Sequence, residues 1–122
     1  MKKISRNIDV WDYDLETDIL FFRHKSLKYH SSIDMGDMII DIATNGDPIG
    51  VELLNASKKF GVSKITLRGI KGMDADINVS KTDIKVTLKV FVTIRNAQVE
   101  KVSVAHGIND INLQTGQTAM VC

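Results

Sequence analysis

Apolar and polar side chains alternate without a break between residues 83 and 95. Helical spacing would scatter these apolar residues around a cylinder, whereas a period of two is typical of a strand with one face in a core. At ~3.3 Å per residue the strand spans roughly 40 Å, well beyond the usual length of about 5–6 residues. We therefore expect it to bend, to serve two sheets, or to extend toward another copy. The apolar positions are Ile84, Val86, Leu88, Val90, Val92 and Ile94.

Turn residues divide the first half of the chain into short apolar runs. Asn45-Gly46 predicts a tight hairpin, because both residues tolerate positive φ. Pro48 cannot donate a ladder hydrogen bond, so we place it at the first position of a strand. A polar segment, residues 25–36, gives only a weak strand signal, at Tyr29, Ile33 and Met35. The clearer predicted strands lie at Ile8–Tyr13, Ile19–His24, Met38–Ala43 and Ile49–Leu54.

Two short helices are predicted in the middle of the chain. Asn55 or Ser57 caps the first, which runs through Phe60 and stops at Gly61. The second starts at Ser63 and runs through Ile70.

The segments around the long strand predict further hairpins. A short strand at Ile77–Val79 precedes it, and a turn at Asn96-Ala97 follows it. The return strand then covers Gln98–Ala105, with Val102 and Val104 facing inward. A last hairpin is expected around Thr115-Gly116.

These elements predict an α+β fold that is mainly β. Antiparallel meander sheets pack together through their apolar faces, with one or two short helices between the halves. A chain of 122 residues with 43% hydrophobic residues is long enough for one packed domain. We expect a single domain over residues 1–122, in which residues 62–122 form a hairpin extension that shares the core of residues 1–61.

Charge and composition argue against several classes of partner. The net charge of +1 creates no field that attracts nucleic acid. Lys85, Lys89 and Arg95 surround Phe91 on the outward face of the long strand, but Asp83 shares that face, as on an ordinary solvated sheet. We therefore expect no nucleic-acid partner. No apolar run reaches the ~20 residues that span a bilayer, and no signal peptide is evident. We expect a cytoplasmic protein with no membrane association.

The motifs of the first half resemble a known family. They are Trp11-Asp12-Tyr13-Asp14, Asp18-Ile19-Leu20, Met38-Ile39-Ile40-Asp41 and the segment from Gly50 to Ser57. In this order they look like the domain-of-unknown-function family 2283, the YuzE-like proteins, over residues 9–60. The second half is similar to extensions of longer archaeal-type members. The resemblance implies a small β-rich fold with helical elements and no established activity. Family members usually carry an acidic residue near the hairpin glycine, where this chain has Asn45 before Gly46.

The sequence gives little support for a metal site or for a catalytic nucleophile. An EF-hand loop starting at Asp12 would need glycine where Thr17 stands and glutamate where Arg23 stands. The three histidines, His24, His30 and His106, show no metal-ligand spacing. Cys122 is a lone terminal thiol, and no nucleophile elbow or phosphate-binding loop occurs. We predict no catalytic residues, no metal and no cofactor.

Glu52 is the most interesting acidic residue, because it alternates with apolar neighbours on a strand. Gly50 beside it allows close approach of another backbone or of a ligand. Burial of Glu52 would raise its pKa and make it a candidate for a site, although a solvated or ion-paired glutamate explains the pattern as well. We group Tyr13, Asp14 and Asp41 with Glu52 as ligand-binding candidates.

Self-association is the leading expectation for function. The strand at Ile19–Phe22 is apolar on both faces, and the strand at residues 83–95 is very long. We therefore expect a homo-oligomer, most simply a dimer, with Phe21, Phe22 and Phe91 at the interface. The predicted function is a non-enzymatic, self-associating interaction module, with an antitoxin-like role and an unidentified protein partner as extensions. The alternative is a small-molecule-binding protein or enzyme with a pocket near Gly50 and Glu52, where Tyr13 and a histidine would converge.

Overall fold

The computed structural model describes residues 2–122. Strands make up 59% of the chain and helices 8%, so the fold is mainly β with a minor α part, as predicted. The elements are β1 (Lys2–Asn7), β2 (Val10–Asp14), β3 (Ile19–Arg23), β4 (Tyr29–Asp34), β5 (Met38–Ala43), β6 (Pro48–Leu53), α1 (Ala56–Phe60), α2 (Lys64–Arg68), β7 (Gly72–Val79), β8 (Asp83–Ile94), β9 (Ala97–Ile108) and β10 (Gly116–Val121).

The strands form two five-stranded sheets. Sheet A has the order β1-β10-β7-β8-β9, and sheet B has the order β2-β3-β6-β5-β4. Within residues 2–122, all neighbouring strands are antiparallel except β1 and β10, which run parallel. Because β1 joins sheet A, the boundary between residues 61 and 62 does not separate the two sheets.

The inner faces of the two sheets enclose one continuous apolar core. Strand β8 contributes its even-numbered residues from Ile84 to Val92, all of which are buried. The predicted alternation of this strand is therefore confirmed. Buried residues of both halves belong to the same cluster; among the largest are Phe22, Leu20, Met38, Ile40, Leu53, Leu67, Met73, Ile77, Ile84, Leu88 and Met120.

Two hairpin turns differ from the predictions in ways that affect the faces of their strands. At Asn45-Gly46 only Gly46 has a positive φ (88°), and its N–H donates to the Ala43 oxygen. The turn therefore spans three residues, and the β5–β6 register shifts between Asp41 and Ile42, which leaves Ile49 of β6 as the extra residue. After β8 the two-residue turn consists of Arg95 and Asn96, one residue earlier than expected, and both adopt positive φ.

Strand β9 faces the opposite way from the prediction. Val102 and Val104, expected inward, are 44% and 48% exposed, and Ser103 between them is buried. A two-residue turn pairs odd positions of β9 with even positions of β8, so Ser103 lies opposite Leu88. Val102 and Val104 must then share the outer face with Lys89 and Thr87.

Three further elements differ from the sequence-based assignments. Strand β1 was not predicted, and the polar segment does form a strand, β4. The expected last hairpin around Thr115-Gly116 does not form, because β10 pairs with β1 and β7 instead. The second helix forms with Ser63 as its N-cap, whose hydroxyl accepts the Thr66 N–H, and it ends at Arg68.

Candidate functional site

The four predicted ligand-binding residues do not come together. Tyr13 lies on the inner face of sheet B in register with Leu20, whereas Glu52 lies on the outer face between Phe21 and Ile39. Asp14 is exposed at the end of β2, where it accepts the Glu16 N–H. Asp41 shares the outer face with Glu52. The convergence of Tyr13 and Glu52 on one cavity, which a pocket would need, is therefore absent.

The outer face at Gly50 is occupied by the protein itself. A Cβ at this position would lie 2.8 Å from the Phe22 carbonyl oxygen, so the glycine serves close approach of a neighbouring backbone. Arg23 and Asp41 flank Gly50 on the two adjacent strands and form an ion pair at 2.7 Å. Ser32 also donates to Asp41, at 2.9 Å. These contacts hold the Asp41 carboxylate within the protein's own network.

Tyr13 instead belongs to a buried polar cluster centred on Asp18, which is 6% exposed. The Tyr13 hydroxyl donates to Asp18 Oδ1 at 2.6 Å. The Ser57 N–H donates to the same oxygen at 2.9 Å, and the Ser57 hydroxyl donates to Oδ2 at 2.7 Å. Asn55, at the N-cap position of α1, makes no side-chain cap. A carboxylate from the β2–β3 turn thus caps α1, where the sequence predicted Asn55 or Ser57.

Hydrogen bonding sets the charge state of this cluster. Burial alone would raise the pKa of Asp18, but hydrogen bonds from Tyr13 and Ser57 outweigh it and lower the pKa below its usual value. Burial, together with the hydrogen bond to Asp18 and its charge, raises the pKa of the Tyr13 hydroxyl well above its ordinary range. Asp18 therefore stays ionised beside the neutral Tyr13 hydroxyl. This arrangement suits a structural role, in which Asp18 holds the β2–β3 turn against α1.

The histidines lie apart from one another. His24 Nδ1 lies 2.8 Å from the Asn7 carbonyl oxygen and 3.2 Å from an Asp9 carboxylate oxygen. His30 is exposed on β4, and His106 is exposed on β9. Within residues 2–122, no group of three or more His, Cys, Asp or Glu residues is arranged to hold a metal ion. In the same residues, no helix has the length and apolar character needed to cross a bilayer.

Among the four edge strands of the two described sheets, β9 is the longest, with 12 residues. The register with β8 continues beyond the strand to Asn109, whose N–H donates to the Thr82 oxygen at 2.9 Å. Antiparallel pairing alternates, so the odd-numbered residues of β9 direct their N–H and C=O groups toward β8. The even-numbered residues, from Gln98 to Ile108, direct theirs away from it. Within residues 2–122, these outward backbone groups have no hydrogen-bond partner.

Apolar side chains accompany this free edge. Val102, Val104 and Ile108 are exposed on the outer face, Ile108 to 72%. Next to the edge, a groove of about 200 Å³ lies between β9 and the β4–β5 hairpin. Met35, Met38, Leu53, Lys59, Asp37 and residues 103–106 line this groove.

Polar groups of the groove differ in whether they are paired. Lys59 and Asp37 form an ion pair, and this hydrogen bond and charge lower the pKa of Asp37. The Ser103 hydroxyl makes no hydrogen bond to another described residue, and Ser103 is 9% exposed. Ser103 therefore offers an available hydrogen-bonding group at the edge of the groove.

The residues that the sequence predicted for an interface lie away from the β9 edge. Phe22 is 1% exposed in the core, which removes it from the predicted interface, because strand alternation turns it inward with Leu20. Phe21 and Phe91 are half-buried on the outer faces of different sheets. The β9 edge was missed because Val102 and Val104 were assigned inward. A two-residue turn pairs odd-numbered residues of β9 with even-numbered residues of β8, and this pairing was the signal that could have shown that Val102 and Val104 face outward.

Comparisons with known proteins identify the family. A family described as "Protein of unknown function (DUF2283)" matches residues 11–57. A Methanosarcina mazei protein with a provisional hypoxanthine phosphoribosyltransferase name is 43% identical over 103 residues, 84% of each chain. An uncharacterised Methanocaldococcus jannaschii protein is 34% identical over 110 residues, 89% of this chain and 95% of that protein. No solved structure gives a significant match. The chain belongs to the DUF2283 family of proteins of unknown function.

Proposed function

We propose that this protein is a non-enzymatic interaction module that associates with itself through the free edge of β9. The observation that carries this proposal is a twelve-residue edge strand whose outward backbone groups are unpaired within residues 2–122. Such an edge is a template for pairing with another strand, and proteins that remain monomeric usually blunt it with prolines, bulges or inward charges. The β8–β9 pairing contains no register shift and β9 contains no proline; Lys101, half-buried near the start of the strand, is the only charged residue on its inner side among residues 97–108.

The exposed side chains of β9 support an apolar contact in addition to backbone pairing. Val102 and Val104 project beside the edge, where a second strand would cover part of their surface. At about 25 cal/mol per Å² of apolar surface, this burial adds to the hydrogen bonds of the new ladder. A cytoplasmic location, where copies of the chain would meet, remains part of the proposal.

A strand from a different protein is the alternative occupant of the same edge. An antitoxin-like role would require this, since strand addition is a common way to capture an extended segment. A stable homodimer formed through β9 would occupy the edge and disfavour that role.

We do not propose for this chain the phosphoribosyltransferase activity that the name of the Methanosarcina relative states. Phosphate groups bind where unpaired N–H groups collect, as at helix N-termini. Here the Asp18 carboxylate occupies the N-terminus of α1, and the Ser63 hydroxyl caps α2. The negative charge of Asp18 would also repel a phosphate. A ligand pocket near Gly50 and Glu52 is also disfavoured, because Arg23 and Asp41 form an ion pair across that face.

Light scattering coupled to gel filtration tests the proposal. We expect a mass twice that of the 13.6 kDa chain at high micromolar concentration. Val104→Pro should give a folded monomer, because the Val104 N–H faces the free edge and proline is tolerated there. Val104→Lys should also favour the monomer, whereas Ile65→Lys, at an exposed apolar position of α2, should leave the dimer intact. A wild-type monomer at all concentrations would overturn the proposal.

A further inference from the structure

We infer that two copies of this chain pair β9 against β9 in one antiparallel register, with Ser103 facing Ser103 on the two-fold axis. This inference rests on the proposed function and specifies the geometry of that interface. It would join the two copies of sheet A into one continuous ten-stranded sheet, because sheet A has five strands in each copy. A two-fold axis makes the interface isologous, so every contact away from the axis occurs twice.

Backbone geometry first restricts the possible registers. The free N–H and C=O groups belong to even-numbered residues of β9, so even residues must pair with even residues of the second copy. Odd residues then face odd residues in the intervening pairs without mutual hydrogen bonds. Each allowed register differs from the next by a shift of two residues, and the side chains must select among them.

Side-chain complementarity favours the register centred on Ser103. A register centred on Lys101 would bring two ammonium groups together, which is repulsive. Centring on Ser103 pairs Val102 with Val104 of the second copy, and it does so twice. It also places Glu100 opposite His106 of the second copy, where imidazole in either protonation state has an N–H to donate to the carboxylate. The neighbouring registers place Glu100 opposite a valine or an isoleucine instead.

The inner face of the edge supports the same register. The Ser103 hydroxyl makes no hydrogen bond to another described residue, and Ser103 borders the groove beside β9. At the axis the two hydroxyls would meet and hydrogen-bond, a recognised cross-strand pair. Val99 of the second copy would lie opposite Gly107, over which Met35 packs. The missing side chain of Gly107 thus leaves room for an apolar contact between Met35 and that valine.

Cysteine cross-linking tests this register. Residues facing each other in a non-hydrogen-bonded antiparallel pair have Cα atoms about 4.5 Å apart, within the range that a disulfide spans. In a Cys122→Ser background, which removes the single native thiol, Ser103→Cys should form a covalent dimer under oxidised glutathione. Ala105→Cys in the same background should stay monomeric on a non-reducing gel, because residue 105 faces residue 101 of the second copy.

Charge reversal provides a second, independent test. Glu100→Lys should weaken the dimer about tenfold, because it places a second cation at both symmetric Glu100–His106 positions. It also removes the exposed Lys89–Glu100 pair of its own chain (3.7 Å), so the recovery on adding His106→Glu, which leaves that pair broken, is the readout specific to the interface. Adding His106→Glu should restore the affinity by creating a Lys–Glu pair across the axis. Circular dichroism would confirm that each variant is folded.

The outcomes distinguish this inference from the proposed function. A wild-type dimer with no cross-link at Ser103→Cys, or with equal cross-linking at Ala105→Cys, would overturn the register and leave self-association standing. Loss of affinity in Glu100→Lys without rescue by His106→Glu would also count against the register. A wild-type monomer would overturn the proposed function and the register together.

Discussion

Asp18 binds Ser57 through both carboxylate oxygens, one from the backbone N–H at 2.9 Å and one from the hydroxyl at 2.7 Å. The Asp18 carbonyl also accepts the Ala56 N–H at 3.0 Å. The turn between β2 and β3 is thereby fixed to the first turn of α1, which is too short to be stable alone. Both residues lie in the segment that matches the family, residues 11–57.

Replacing Asp18 should destabilise the fold substantially. Asp18→Asn keeps the size and the tolerance of positive φ (57°) but loses the charge and one acceptor. We expect the free energy of unfolding to fall by about 2–3 kcal/mol, since hydrogen bonds to charged groups contribute about 1.5–3 kcal/mol. Urea unfolding would measure it. Asp12→Asn, an exposed change on β2, is the control and should shift stability little.

The same carboxylate should make stability depend on acid pH. Its folded pKa is below the ordinary value, so the unfolded chain binds the proton more tightly. The contribution of Asp18 is therefore complete above its unfolded pKa of about 3.9 and is lost as pH falls through the lower folded value. The difference in unfolding free energy between wild type and Asp18→Asn should be constant near neutrality and shrink below about pH 4. A difference that grows on acidification would contradict this assignment.

The contrast between β8 and β9 shows what the sequence could specify. The alternation in β8 depends on neighbouring residues alone, and it predicted the buried face correctly. In β9 both faces carry apolar or small residues, so alternation alone does not determine which face is buried. The length of the β8–β9 turn determines it instead. Strand β1 depends on β10, more than a hundred residues away, and its sequence is largely polar. The trans cap from Asp18 to Ser57 also requires tertiary structure, so local capping rules predicted Asn55 or Ser57 instead.

Gly50 and Gly107 offer a matched comparison of close packing. A Cβ at Gly50 would meet the Phe22 carbonyl at 2.8 Å, and a Cβ at Gly107 would meet the tip of Met35 at 2.9 Å. Backbone cannot move as a flexible side chain can, so Gly50→Ala should cost about 2–3 kcal/mol and Gly107→Ala clearly less. Thermal melts of both variants would show the difference. Equal losses would mean that the backbone around Gly50 is freer than its pairing indicates.

Arg6 and Asp47 connect the two sheets. Arg6 in β1 of sheet A donates to Asp47 in the β5–β6 turn of sheet B at 2.9 Å, and both side chains are largely buried. Removing one partner leaves a poorly solvated charge, so Asp47→Asn and Arg6→Met should each destabilise the fold by about 2–3 kcal/mol. A double-mutant cycle should give a coupling free energy above about 1 kcal/mol. For the exposed Lys59–Asp37 pair the same cycle should give a value near zero.

Hydrogen exchange should reveal the two edges of β9 residue by residue. The amides of Lys101, Ser103 and Ala105 face β8, so they should exchange slowly at every protein concentration. The amides of Val102 and Val104 face the free edge and should exchange rapidly in dilute protein, then become protected at concentrations where the proposed dimer forms. Exchange measured by NMR at low and high concentration would resolve this alternation. Protection of Val102 and Val104 that does not change with concentration would show that the edge is covered within one chain.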